Sequence, residues 1–246
     1  MKPIKLFYHL VDLPGWESIT DEQVTRLETS GLLDAAETAY FNLHYNESSF
    51  SALKHRLKHY KNIEWIFNNN LPADYEHSTA VLYQEVAKQS TDFNALYLHQ
   101  KGITHLNTMK EVPTRAWRHL LDYCNINQWQ LCNSLLKDND CVGCNFYNTP
   151  EFPPHFSGTT RWMTSNFIKA MPQLKLPSSI DYQLQLVDDI DYPCEAKMGY
   201  RFEVEFQVGA CSRRLNTKFC SLYQPPANYN GYIHIIPESL YLPNGR

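Results

Sequence analysis

No run of apolar residues in this 246-residue chain approaches the length that a membrane span needs. The opening Met1-Lys2-Pro3-Ile4-Lys5-Leu6-Phe7-Tyr8 likewise lacks the extended apolar stretch of a signal peptide. Both absences point to a soluble, cytoplasmic-type protein. Lys and Arg are scattered and the net charge is −4, so the electrostatic footprint of a nucleic-acid binder is missing. A small anionic ligand stays open, because a local cationic pocket needs no global charge. Neither G-x-G-x-x-G nor G-x-x-x-x-G-K-[ST] occurs, which removes the dinucleotide fingerprint and the Walker loop. The ten histidines show neither H-x-H nor H-E-x-x-H spacing, which leaves a metal-dependent hydrolase without its usual ligand set. No internal repeat is visible.

The seven cysteines, at 124, 132, 141, 144, 194, 211 and 220, are odd in number, and reduced thiols are the simpler account. Cys141-Val142-Gly143-Cys144 has metal-ligand spacing but lies in an expected strand, where residues three apart face opposite sides. No second pair stands at zinc-ribbon distance, so no metal is expected there. Aromatics make up 13% of the chain, with 16 Tyr; they suit interfaces and sugar-binding surfaces, but core filling is the default.

What is present is organised around Phe93-Asn94-Ala95-Leu96-Tyr97-Leu98-His99-Gln100-Lys101-Gly102. Its apolar run has the length of a central parallel strand and stops at a polar triplet and a glycine. Ligands of open α/β sheets sit beyond the carboxyl ends of such strands. His99 and Lys101 are one residue apart, so strand alternation points them the same way, and Gly102 allows a turn or a close approach. The alternative is simply a strand meeting water.

Around it, strands are expected at 5–11, 36–45, 63–67 and 140–147, and helices at 18–30, 50–59, 75–89, 113–137 and 165–170. Asn125-Ile126-Asn127 is expected to break the long fourth helix. Four successive strand–helix steps indicate a parallel α/β sheet with right-handed crossovers. The basic helix at 50–59 carries an ordinary inward stripe of Leu53 and Leu57, so its charges form a solvated face. Asn68-Asn69-Asn70 is either a turn or a ligand-facing strand end. His155-Phe156-Ser157-Gly158-Thr159-Thr160-Arg161-Trp162 concentrates polar, aromatic and glycine residues, which reads either as the second wall of a pocket or as a turn whose aromatics pack on the sheet. Residues 200–209 alternate apolar and polar, as a strand or a short helix, and the proline-rich tail reads as extended chain wrapped over the domain.

Taken together, Tyr97-Leu98-His99-Gln100-Lys101-Gly102, Trp117-Arg118, Val142-Gly143-Cys144-Asn145, His155-Phe156-Ser157-Gly158 with Trp162, and Arg201 to Glu205-Phe206 resemble a family of GT-A-like glycosyltransferases found among microbial and viral surface-glycan genes. The resemblance implies one GT-A-like, Rossmann-like domain over residues 1–246, with a mostly parallel central sheet flanked by helices and an irregular C-terminal segment. Residues 1–147 would form the nucleotide-sugar half and 148–246 the acceptor-side half and wrapping tail. It implies transfer of a sugar from a nucleotide-diphosphate donor to a glycan acceptor, with inversion; the alternative is a non-catalytic nucleotide-sugar or glycan-binding module of the same fold.

Many such enzymes neutralise the leaving diphosphate with a divalent ion, Mn or Mg, held by D-x-D after the fourth strand. Here His99-Gln100-Lys101 stands at that place, and both basic residues offer hydrogen-bond donors directly, which favours metal-independent catalysis and leaves a divalent cation, Mn or Mg, as the alternative. Asp138-Asn139-Asp140 is formally D-x-D but precedes its strand as a turn, and Asp188, Asp189 and Asp191 form an acidic cluster read first as a solvated loop and, ahead of Asp138, as a metal candidate. Glu205 is the expected base for the acceptor hydroxyl. Glu203 would face the same way in a strand, and Arg201 would pair with either; the alternative is an ion pair that only braces the domain. His155, Ser157, Gly158 and Trp162 would line the sugar pocket. Tyr8, His9, Asn68, Asn69 and Arg118 would face the donor.

Overall fold

The apolar runs at the start of the chain form strands because both of their faces are covered. In the computed structural model, which describes residues 2–68, 74, 76–149, 152–177, 202–210, 212–226 and 228–242, they are β1 (Ile4–Val11), β2 (Thr38–His44), β3 (Ile63–Asn68) and β4 (Asn94–His99). Between them run α1 (Trp16–Thr29), α2 (Leu32–Ala35), α3 (Ser51–Arg56) and α4 (His77–Gln89). Helix α1 begins at Trp16, two residues earlier than the sequence suggests, after Gly15, whose φ of 83° lies in the left-handed region that a residue without a Cβ enters freely.

The long helical region is α5 (Glu111–Asp122), a π-helical turn over Tyr123–Asn127 and α6 (Trp129–Leu135), so the expected break falls on the asparagines. The expected strand over 140–147 is two pieces, β5 (Cys141–Gly143) and β6 (Phe146–Tyr147), separated where Asn145 takes a φ of 60°. Then follow β7 (His155–Phe156), β8 (Arg161–Thr164), α7 (Ser165–Ala170), α8 (Glu203–Ala210), α9 (Ser212–Leu215) and β9 (Phe219–Ser221).

Among the described residues, seven strands form one sheet in the order β3-β2-β1-β4-β8-β5-β9. The first four are mutually parallel, β8 is antiparallel to both its neighbours, and β9 is parallel to β5. This is the mostly parallel, helix-flanked α/β sheet expected of the sequence.

Alternation along the strands separates two apolar layers. Leu6, Tyr8, Leu10, Leu96 and Leu98 pack on one side with α1 and α2, while Phe7, Tyr97, Met163 and Tyr83 pack on the other with α4, α7 and α8. The same rule sends Cys141 into the second layer, whereas Cys144 joins a third cluster around Trp117 and Tyr229. The described cysteines are free thiols; Cys194 and Cys211 lie outside the described residues. No helix among the described residues is long and apolar enough to cross a membrane.

Candidate active site

Strand order reverses between β1 and β4: the chain leaves β3 at one edge and crosses past β2 and β1 to reach β4 on the far side of β1. Such a switch point leaves a crevice beyond the carboxyl ends of the two strands. A cavity of about 170 Å³ lies there, with His9 contributed by β1 and His99, Lys101 and Gly102 by the end of β4.

The end of β4 is held from behind. Gln100 donates to Thr20 Oγ1 at 2.7 Å and accepts from the Val11 amide at 2.7 Å, tying β1 to β4 just where both stop. Gln23 Nε2 donates to the His99 carbonyl and to Asp122, and Gln23 Oε1 accepts the Tyr8 hydroxyl. Gly102 turns the chain with a φ of 90°; a Cβ there would press on Thr114. Arg118 donates to the Lys101 carbonyl at 3.0 Å and to Glu22 at 3.0 Å.

Glu76, just before α4, brings a carboxylate to the cavity. Its Oε2 accepts the Tyr97 hydroxyl at 2.7 Å, and its Oε1 is 3.8 Å from His99 Nε2. Burial raises its pKa, but His99, the Tyr97 hydroxyl and Lys101 outweigh burial and hold it below the usual carboxylate range. For His99, burial outweighs the attraction of Glu76, so its pKa lies below the ordinary histidine value. His9 is driven well below that value by burial and by its neighbours His44, His99 and His77, and its Nδ1 is bonded to Thr79 Oγ1 at 2.9 Å. At neutral pH His9 and His99 are therefore neutral imidazoles beside an ionised Glu76.

Glu205 lines the same cavity as Lys101. It stands on α8, and its Oε1 accepts the Gly158 amide at 2.8 Å. Helix α8 is fixed to the sheet by Arg161, a fully buried guanidinium that donates to the Thr159 carbonyl at 2.9 Å and to the Val204 carbonyl at 2.8 Å and lies over the Tyr97 ring. Gly209 completes the docking, since any Cβ would collide with the Pro154 carbonyl oxygen.

The helical state of α8 separates two carboxylates that a strand would have aligned. Residues two apart on a helix point to widely different directions. Glu203 is buried and bonded to His77 Nε2 at 3.1 Å, away from the cavity.

Other residues expected at the site lie elsewhere. Tyr8 points to the opposite layer from His9, as alternation requires. Arg118 sits behind the Lys101–Gly102 turn and not in the cavity. Trp162 is fully buried beside Leu96 and Val142, with its indole N–H donating to the Asn125 carbonyl, so it is a core residue and not a pocket wall. His155 donates through Nδ1 to the Pro153 carbonyl and stacks on Tyr147, and Ser157 exchanges hydrogen bonds with Asn145; neither lines the cavity. Gly158 touches the site through Glu205. Asn68 donates to Asn42 on the neighbouring strand. Asn69 and Arg201 lie outside the described residues, as do Asp188, Asp189 and Asp191.

Glu76, Phe202 and Tyr232 line the cavity without having been singled out from the sequence. Glu76 had one signal, its place just before a helix that leads into β4; Tyr232 had none, because a long-range return of the chain leaves no local pattern. Asp138 and Asp140 flank the turn before β5, where Asp140 accepts the Lys218 amide. Among the described residues, no three His, Cys, Asp or Glu side chains converge as ligands of a metal ion.

No protein-family model matches the chain, and no curated protein matches it. Among solved structures, it is similar to a protein from Desulfovibrio desulfuricans G20 described provisionally as a nucleotide-diphospho-sugar transferase, with a TM-score of 0.46 and 9% identity over 91% of this chain and 81% of that one. It is also similar to HddC from Yersinia pseudotuberculosis, solved alone and with GMP-PN, with a TM-score of 0.38 and 13% identity over 74% of this chain and 85% of that one. Likenesses this distant do not bear on the site.

Proposed function

We propose that the chain is a GT-A-like glycosyltransferase that moves a sugar from a nucleotide-diphosphate donor to a glycan acceptor with inversion, in the synthesis of surface polysaccharide or another glycan. One observation carries the reading: Lys101 and Glu205, far apart in sequence, open on one cavity at the switch point of the sheet. Cleavage of the bond between the anomeric carbon and the diphosphate oxygen sends its electron pair to the diphosphate. Lys101 neutralises that growing charge, and His99 donates a hydrogen bond. The acceptor oxygen attacks the opposite face of the anomeric carbon and gives its proton to Glu205.

In this reading the amide of Gly158 fixes one carboxylate oxygen of Glu205 and leaves the other for the acceptor. His9 faces the nucleotide end of the donor. A divalent ion is not needed for either charge transfer.

A thermal-shift series over nucleotide sugars, with and without Mn²⁺, tests the ligand class, because a ligand that prefers the folded state raises the unfolding temperature. A shift with one nucleotide sugar, followed by its turnover in the presence of oligosaccharide acceptors, supports the proposal. Binding without transfer or hydrolysis would leave a nucleotide-sugar-binding module, and no shift with any nucleotide sugar would overturn the donor assignment.

A further inference from the structure

The C-terminal segment 228–242 returns across the domain and packs on α5. Gly231 makes the return this close: a Cβ there would stand 2.2 Å from Trp117 Cε3, so the backbone lies directly on the indole. The next residue, Tyr232, is delivered to the mouth of the cavity. Its amide is held by Asn230 Oδ1 at 2.9 Å, and its ring stands at 90° to the Trp117 ring with centroids 5.3 Å apart. His105 packs edge-on against the same ring.

Lys101 Nζ occupies the corner between the two rings, 3.9 Å from the Trp117 centroid and 5.3 Å from the Tyr232 centroid. Its close contacts among the described residues are these aromatic faces, while the Glu76 carboxylate feels its charge from beyond ion-pair distance. An aromatic face attracts an ammonium through its quadrupole but leaves the three N–H donors without strong acceptors. A carboxylate partner would compete with an incoming anion; two rings hold the cation in place without competing. The four-carbon stem of lysine is otherwise flexible, so confinement in a corner removes disorder before a ligand arrives.

We infer that Tyr232 is a positioning residue for Lys101: together with Trp117 it holds the ammonium at the cavity mouth for an anionic ligand of the diphosphate class, which makes the C-terminal segment part of the binding site. The ligand class rests on the reading of Lys101 given above, whereas the positioning itself does not.

Two measurements on the full chain test it. Ring currents should move the Lys101 ε-methylene resonance, assigned by its loss in Lys101→Met, well upfield of other lysines. Tyr232→Leu should return it toward the exposed-lysine position, and Tyr232→Phe, which keeps the ring, should restore it. A resonance unmoved in Tyr232→Leu would mean that Trp117 alone holds the cation and would overturn the inference. In calorimetry with inorganic pyrophosphate, Tyr232→Leu should weaken binding about three- to tenfold, Tyr232→Phe should recover it, and Tyr232→Leu should add nothing in a Lys101→Met background. A loss of equal size in that background would also overturn it. Thermal unfolding reports whether Tyr232→Leu folds, and Tyr232→Met replaces it if it does not. Should neither pyrophosphate nor nucleoside diphosphates bind the unaltered chain, the diphosphate reading fails, and the resonance measurement still decides the role of Tyr232.

Discussion

Glu205 Oε1 accepts the backbone N–H of Gly158 at 2.8 Å, and that bond joins α8 to the turn leading into β8. It places the proposed base on a rigid support, since the turn is packed under Trp117 and Leu121 and α8 is tied to the sheet by Arg161. Orientation of a general base decides how much it contributes.

Replacement of Glu205 by Gln keeps the shape and removes the proton acceptor. Turnover should fall by about 100- to 10,000-fold while donor affinity changes little. Stopped assays of sugar transfer beside calorimetric donor binding check this; a loss of affinity matching the loss of turnover would assign Glu205 to binding instead.

Gly158→Ala puts a Cβ on a residue with a φ of +95°, at 2.6 Å from Leu121 Cδ1 and 3.3 Å from Trp117 Cζ2. The cost should be about 1–3 kcal/mol of stability, read by urea denaturation. Turnover per folded molecule should fall as well, because the amide that fixes Glu205 shifts. Wild-type activity in a destabilised variant would show that this bond does not set the base.

The buried Glu203–His77 pair gives a control. Glu203→Ala leaves His77 without that partner and should cost about 1–3 kcal/mol in denaturant titrations. Activity of the remaining folded protein should be close to that of the parent chain. Opposite outcomes for Glu203 and Glu205, one in stability and one in turnover, are the expectation that strand-like alignment of the two would not produce.

Asp122 supplies the pH dependence. Burial raises its pKa to about 6 from 3.8, with its bond to Gln23 and the charge of Arg118 acting the other way. Between those values the folded chain keeps a proton that the unfolded chain has released, so stability falls as pH rises through that window and the loss is complete above it. The full effect is roughly 2–3 kcal/mol. Asp122→Asn should therefore be more stable than the parent at about pH 8 and similar at about pH 4. Urea titrations at both values test it, and an equal effect at both would remove the raised pKa as the cause.

The first four strands and their helices were legible because each is a long run with clear periodicity and both faces of the sheet are covered. The end of β4 was legible for the same reason: an apolar run that stops at His99 marks where a sheet meets a crevice. Alternation also held the answer for Tyr8 and His9, which cannot both face one ligand. Residues 203–210 were not legible, since Glu203 and Gln207 are as buried as Val204 and Val208, and burial on several sides erases the contrast that distinguishes helix from strand. Trp162 looked like a sugar platform because composition reports an aromatic ring but not which neighbour covers it. Tyr232 reaches the site through tertiary packing alone.

Strand β8 runs antiparallel to β4, with Arg161 opposite Tyr97, so the polypeptide visits the rim of the crevice once on leaving β4 and again before entering β8. Two excursions of independent length thus frame a single opening. Residues inserted into or deleted from either one would leave the ladder between the strands unbroken. Divergence in this architecture can widen or narrow the entrance for bulkier or smaller guests while the framework beneath stays as it is.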